Sequence, residues 1–437
     1  MKPVLLIIFL LLLTSRLFAA DFFMSDSTNI SVPETDSTKI VTPDSILQME
    51  AVPSLSPDTI AKRIASARRL MKEYKIDNAI DTLEEAYSRD SSSIELAKEL
   101  EEMYYGTSQN TKALEFVNLL LEQGLDSAVY LPHKALVLKN EGDLPESLQI
   151  FGQLINKDST NTFFLNQMGD ILKMTLNADS ALVFYTKSAE VSPKSVTIFK
   201  AGQLLLDLDE PAEALSFFDK YYNPEIHDSK PLRRLYGQTF FLLNEYEKSI
   251  EIFDELYQKG DSSFLTTKFL GMSYRKNGDY LEAEEPLKKA AFLNPNDYLV
   301  YYNLGICTRN IGMTEESEKH FNTAMEIVTT PQFIKDMINT ELAETYKRAG
   351  KWDKTLELYN ILLKHDPKNL AIRMDRLMIL DHHYKDKDLA IRSYKETIDY
   401  LEKDTSKIQH KARMIKYLNQ RIDKLEEQKF WEDKENN

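Results

Sequence analysis

The glycines of this chain keep a period. Gly169, Gly202, Gly237, Gly271 and Gly305 are separated by 33, 35, 34 and 34 residues. Gly278, Gly312 and Gly350 lie seven residues after a member of that set or its equivalent, Ala343, and Gly142 follows Ala135 by the same step. Nine of the 13 glycines therefore occupy two phases of one 34-residue repeat. Self-similarity at that period means stacked helical hairpins. The expected fold is all-α, and the low glycine content argues against a large all-β protein with Gly-rich turns.

In that register ten copies align. The first small site reads Ala67, Glu101, Ala135, Gly169, Gly202, Gly237, Gly271, Gly305, Ala343 and Met378. Twelve residues later every copy is small, from Ala79 through Ser147 and Ser249 to Ala390. Four residues further every copy is large and apolar or aromatic: Leu83, Val117, Phe151, Tyr185, Phe218, Phe253, Leu287, Phe321, Tyr359 and Tyr394. Three residues after the first small site, only Thr308 and Asp381 depart from Leu, Tyr or Phe. Apolar residues three, four and seven apart make one helix face. A glycine just past a helix end takes the left-handed conformation that stops it. Small residues let two antiparallel helices approach, and the large side chain fills the groove between them. Each hairpin leaves an apolar face that only a neighbour closes.

The cleanest unit runs from Phe264 to Asp297. Its Leu270-Gly271, Tyr274, Gly278, Tyr280, Ala283, Leu287, Ala290 and Pro295 resemble the tetratricopeptide-repeat motif at nearly every defining position. Pro193 and Pro367 close the fourth and ninth copies in the same way. The resemblance covers about 370 residues and implies a right-handed superhelical solenoid whose first helices line a concave, peptide-binding groove. One step, Gly305 to Ala343, is 38 residues. The four extra residues predict a longer loop near Val328 to Ile334.

The rest of the chain divides around the array. Met1-Lys2, the apolar run Val4 to Leu13 and the small pair Ala19-Ala20 predict an exported leader over 1–19, cleaved after Ala19. The run is too short to span a membrane. Residues 20–58 read as a disordered acidic linker: from Ser25 to Thr59, 16 of 35 residues are Ser, Thr or Pro. The repeats are expected over 59–404. A capping helix is expected over 405–431, with Ile408, Ala412, Ile415, Leu418, Ile422 and Leu425 as its apolar stripe, and a short disordered tail over 432–437. Ile408, Ile415 and Ile422 are also seven apart, which keeps a coiled-coil dimer open.

Charge and chemistry narrow the function. Lys plus Arg is 54 against 69 Asp plus Glu, a net −15, which argues against nucleic-acid binding. Neither GxGxxG nor GxxxxGK[ST] occurs. Cys307 is the single cysteine, so no intrachain disulfide or Cys-based zinc site is possible. His382-His383 is the one histidine pair, but adjacent helical residues diverge too far to share a metal. No catalytic residue, metal ligand or cofactor is expected.

The groove can be written from the register. The stripe three before, one after and four after the first small site reads, for copies four to eight, Asn166, Asp170, Lys173; Phe199, Gln203, Leu206; Arg234, Gln238, Phe241; Lys268, Met272, Arg275; Tyr302, Ile306, Arg309. Five of the fifteen are basic and one is acidic. The candidate partner-binding residues are Lys173, Phe199, Arg234, Phe241, Lys268, Arg275, Tyr302 and Arg309. A basic, aromatic stripe inside an acidic body suits an acidic or amphipathic peptide. The Lys and Asn arrangement with which some family members clamp a C-terminal carboxylate is not reproduced. The expected function is a non-catalytic protein-binding scaffold of the periplasm or envelope. Its alternatives are a self-associating structural protein and a subunit of an envelope enzyme complex.

Overall fold

Ten helical hairpins follow one another, and a single helix closes the array. The computed structural model describes residues 54–435 apart from Asp228, Thr330, Lys385 and residues 404–410. The leader expected over 1–19 and most of the linker expected over 20–58 lie outside the described residues. The first helices are α1 (Pro57–Lys72), α3 (Ile94–Gly106), α5 (Ser127–Glu141), α7 (Thr162–Met174), α9 (Ser195–Asp207), α11 (Lys230–Leu242), α13 (Phe264–Asn277), α15 (Tyr298–Asn310), α17 (Gln332–Arg348) and α19 (Leu370–His383). The second helices are α2 (Ile76–Arg89), α4 (Asn110–Glu122), α6 (Leu144–Lys157), α8 (Ala178–Val191), α10 (Pro211–Tyr221), α12 (Tyr246–Gln258), α14 (Tyr280–Leu293), α16 (Thr314–Ile327), α18 (Trp352–His365) and α20 (Lys387–Lys403). The closing helix is α21 (Lys411–Glu435), which runs past the Trp431 expected from sequence. The architecture is an all-α helical-repeat solenoid.

The small and large positions meet inside each hairpin. A Cβ added at Gly169 would stand 2.6 Å from the Tyr185 ring, at Gly271 2.5 Å from Leu287, and at Gly305 2.8 Å from Phe321. At Gly202 it would collide with the Phe218 ring. The large residue thus lies on the bare backbone sixteen positions earlier. All ten large residues are at most 4% exposed. Where the second small site is Ser, its hydroxyl donates to the carbonyl of the first: Ser147 to Ala135 at 2.6 Å, Ser249 to Gly237 at 3.1 Å and Ser317 to Gly305 at 2.8 Å.

Departures from the pattern are compensated. Asp381 stands where other copies are apolar, yet its side chain is only 1% exposed. Arg421 of α21 grips it with two bonds of 2.6 and 2.7 Å, and the Tyr394 hydroxyl donates to it at 2.8 Å. Burial pushes its pKa up, but these partners outweigh burial and hold it below the usual carboxylate range. Thr308 donates to the carbonyl of Leu304 in its own helix. Glu101 replaces a small residue and is 2% exposed; the large position opposite is Val117, and His133 of α5 reaches the carboxylate at 3.1 Å.

Three expectations need correction. The four extra residues before Ala343 do not lengthen the loop. They add a turn to α17, which has 17 residues against 13 in α15. The reason is apolar: Ile334 in the added turn is 4% exposed and joins Ile338, Val328 and Phe321 in one core. The long connection lies elsewhere, over 222–229, where His227 is buried with its Nε2 against the Pro193 carbonyl at 2.5 Å. In α21, Leu418, Ile422 and Leu425 are buried and Ile415 is half-buried, but Ala412 of the expected stripe is exposed; Ile408 lies outside the described residues.

The turn inside each of the first nine hairpins takes a left-handed residue whether or not glycine is present. Gly278 has φ 99° and caps α13. The equivalent positions Tyr74, Ser108, Leu176, Asp209 and Asn244 have φ of 59, 59, 59, 61 and 63°. For L-residues this costs about 1–2 kcal/mol. Asn and Asp tolerate it best; Tyr74 and Leu176 do not.

Two stability measurements follow. Gly202→Ala forces a methyl into Phe218 and is expected to destabilise by about 2–3 kcal/mol. Gly106→Ala, a helical glycine with nothing within 4 Å, is expected to leave urea stability unchanged or raised. Equal effects would refute the contact as the origin. The second concerns pH. The hydrogen bond to Glu101 raises the His133 pKa, and burial only partly opposes it. A base with a raised folded pKa adds stability that is complete below its unfolded value, about 6.5, and is lost as pH rises through the folded value. The wild-type advantage over His133→Asn should therefore be larger at pH 5.5 than at pH 8.5. A gap that does not change with pH would sink this assignment.

Candidate functional site on the first-helix face

First helices touch the first helices of neighbouring hairpins: α1 with α3, α9 with α11, α11 with α13, α13 with α15, and α15 with α17. The residues of the sequence-derived stripe therefore lie along one continuous face. Their charges, however, do not stand alone. Lys173 meets Asp207 at 2.8 Å, Arg234 meets Asp261 at 3.4 Å, Lys268 meets Asp297 at 2.5 Å and Arg309 meets Glu341 at 2.5 Å. Each acid belongs to the next hairpin or the loop leading into it.

The same device runs the length of the array. Arg68 binds Glu99 through two bonds of 2.7 and 2.6 Å, Lys200 reaches Asp170 at 2.7 Å, and Lys347 reaches Asp375 at 2.7 Å. Arg421 and Asp381 end the series at the cap. The stripe read from sequence as cationic is in fact a ladder of ion pairs between first helices. Asp170 belongs to the stripe, but Asp207, Asp261, Asp297 and Glu341, the partners of its cations, lie outside the three stripe positions and escaped the sequence reading. Their signal is distance along the chain: 34 residues after Lys173, 29 after Lys268, 32 after Arg309 and 28 after Lys347.

The fifth stripe cation is the exception. Arg275 of α13 makes no hydrogen bond or ion pair among the described residues; its Nε, like that of Arg309, is buried without a partner. Burial lowers its pKa; the Tyr302, Cys307, Glu341 and Tyr246 groups nearby oppose that fall. Glu341, one of the groups whose charge acts on Arg275, accepts from Arg309 at 2.5 Å and from the Tyr302 hydroxyl at 3.5 Å. With its Nε buried, the arginine has its terminal nitrogens with which to take a carboxylate in a planar fork.

Aromatic and apolar groups surround this cation. Phe241 packs edge-on to Phe269 at 5.4 Å and to Tyr246 at 5.7 Å. Tyr302 packs on Phe321 at 6.0 Å, and Met272 is half-buried one turn from Arg275. Phe199, two hairpins upstream, packs into a separate core with Leu232 and Leu235, so it is not part of the same cluster. The remaining chemistry-bearing residues have structural partners. Burial pushes the Cys307 thiol up to about 12. His382 Nδ1 lies 2.9 Å from the Met378 carbonyl, and His383 stacks on Trp352 at 3.8 Å.

No family model matches the chain. Curated relatives do. Anaphase-promoting complex subunit 3 of Schizosaccharomyces pombe is 21% identical over 250 residues, covering 56% of this chain and 36% of that protein. Tetratricopeptide repeat protein 21A of Mus musculus is 26% identical over 209 residues, covering 43% and 16%. Hsp70-Hsp90 organizing protein 3 of Arabidopsis thaliana is 31% identical over 99 residues, covering 23% and 17%. The chain thus matches well under half the length of each of these relatives. A solved tetratricopeptide repeat protein from Parabacteroides merdae superposes with a TM-score of 0.40 at 17% identity, covering 58% of this chain and 99% of that one. With the 34-residue register, the small-on-large contact in its hairpins and these relatives, the chain is a tetratricopeptide-repeat protein.

Proposed function

We propose that this protein is a non-catalytic adaptor of the cell envelope, exported by its leader, which holds a segment of a partner protein along the first-helix face. The observation that carries the reading is Arg275. The other stripe cations are neutralised by an acid of the next hairpin or of the loop leading into it, while this guanidinium has no ion-pair partner among the described residues. A carboxylate from a partner segment would supply the missing acceptor, and Met272, Phe241 and Tyr302 would pack against its apolar neighbours. The relatives support a place in a protein assembly, since one of them is named as a subunit of a complex. Among the described residues no helix is long and apolar enough to cross a membrane. The self-associating alternative draws its seam from Ile415 and Ile422, but Ile422 is 5% exposed within its own chain.

The test is a crosslinking pull-down with residues 20–437 from the envelope fraction of its own cells. A partner recovered by wild type should fall at least tenfold with Arg275→Glu and remain with Lys62→Glu, a change at an exposed lysine of α1. Undiminished recovery by Arg275→Glu would overturn the anchor, and recovery of the bait alone would overturn the adaptor reading.

A further inference from the structure

A second surface lies on the edge formed by the turns inside hairpins four to seven. Leu176 is the informative residue. It occupies a left-handed position that costs a leucine free energy and a glycine none, yet its side chain is 75% exposed. The fold gains no burial from a leucine there. Its neighbours along the edge are also apolar and exposed: Met174, Leu208, Leu242 and Leu281. Successive hairpins thus present large apolar groups at equivalent turns, and a monomer rarely leaves such a row open without use.

The charge around the row is one-sided. Asp207, Asp209, Glu210, Glu245 and Asp279 lie in or beside the same turns. The second helices open on further acids, Asp179, Glu213, Glu247 and Glu282. Lys173, Lys248, Arg275 and Lys276 are the cations at these helix ends, and Lys173 and Lys248 are already paired with Asp207 and Glu245. The rim is therefore apolar along its crest and acidic on its flanks.

We infer that this edge is a docking surface for a basic amphipathic segment of a partner protein, one whose apolar face meets Leu176, Leu208 and Leu242 while its Lys or Arg residues meet the flanking carboxylates. An anionic membrane is excluded as the occupant by the same carboxylates, which repel it. The inference rests on other residues than the Arg275 anchor, whose guanidinium calls for an acidic rather than a basic partner.

The test uses two fluorescein-labelled 14-residue peptides with leucine at helical spacing, one carrying lysine and the other glutamate at the polar positions, read by anisotropy in 150 mM salt. The full chain should bind the Leu–Lys peptide at least tenfold more tightly than the Leu–Glu peptide. Leu176→Gly together with Leu208→Ser should weaken the first at least fivefold. Because Leu176→Gly relieves a left-handed leucine, the single variant should melt at a higher temperature than wild type, which separates lost binding from lost folding. Phe163→Ser with Val196→Ser, exposed apolar residues at the opposite end of their helices, should leave binding unchanged. Unchanged affinity in the Leu176 variant, an equal loss in the Phe163 variant, or binding to phosphatidylglycerol vesicles by the wild type would each overturn the proposal.

Discussion

The structure depends on one contact: a large side chain lying on the bare backbone of the helix before it. A Cβ at Gly169, Gly271 or Gly305 has no room. Because the contact is made within a hairpin, it brings two antiparallel helices close enough for Ser249 and Ser317 to bond the carbonyl opposite. Each paired unit then carries an open apolar face, and stacking is the only way to cover it. Glycine and alanine each stand opposite both rings and leucine, but where Glu101 replaces the small residue its partner is Val117, slimmer than the aromatic rings at this position.

A second layer of specificity is electrostatic. Apolar faces stack without much preference for pitch. The ion pairs between first helices are directional, and several have little exposure: Lys268 and Asp297 are each 14% exposed, and Arg309 is 10% exposed. Such pairs add little net stability, since desolvation offsets most of the attraction. Their effect is to set which residue of one hairpin faces which residue of the next. A face neutralised by its own partners does not attract acids indiscriminately. The ladder is one acid short beside Arg309 and Glu341, which is where we propose that a partner's carboxylate is taken.

The repeat was legible because it rests on size at fixed positions, and size is written directly in the residue type. Glycine, the serines at the second small site and the rings at Phe218, Phe253 and Phe321 could be read at once. The added turn of α17 was not, because four inserted residues can enter a loop or a helix; Ile334 decides it by finding a buried place that the linear pattern does not display. The site was half legible. Its cations follow from helical spacing, but their neutralisation depends on acids from another hairpin, reached only when the hairpins stack. Arg275 differs from Arg309 by no feature of its own. The difference lies in which of them reaches Glu341.

The most direct measurement places a photo-crosslinking amino acid at Met272 on the first-helix face and, separately, at Glu251, exposed on the second helix α12. Irradiation in the native envelope should yield a covalent adduct to a partner protein from position 272 and none from position 251. Adducts from position 251 alone would contradict the assignment of the first-helix face as the binding surface.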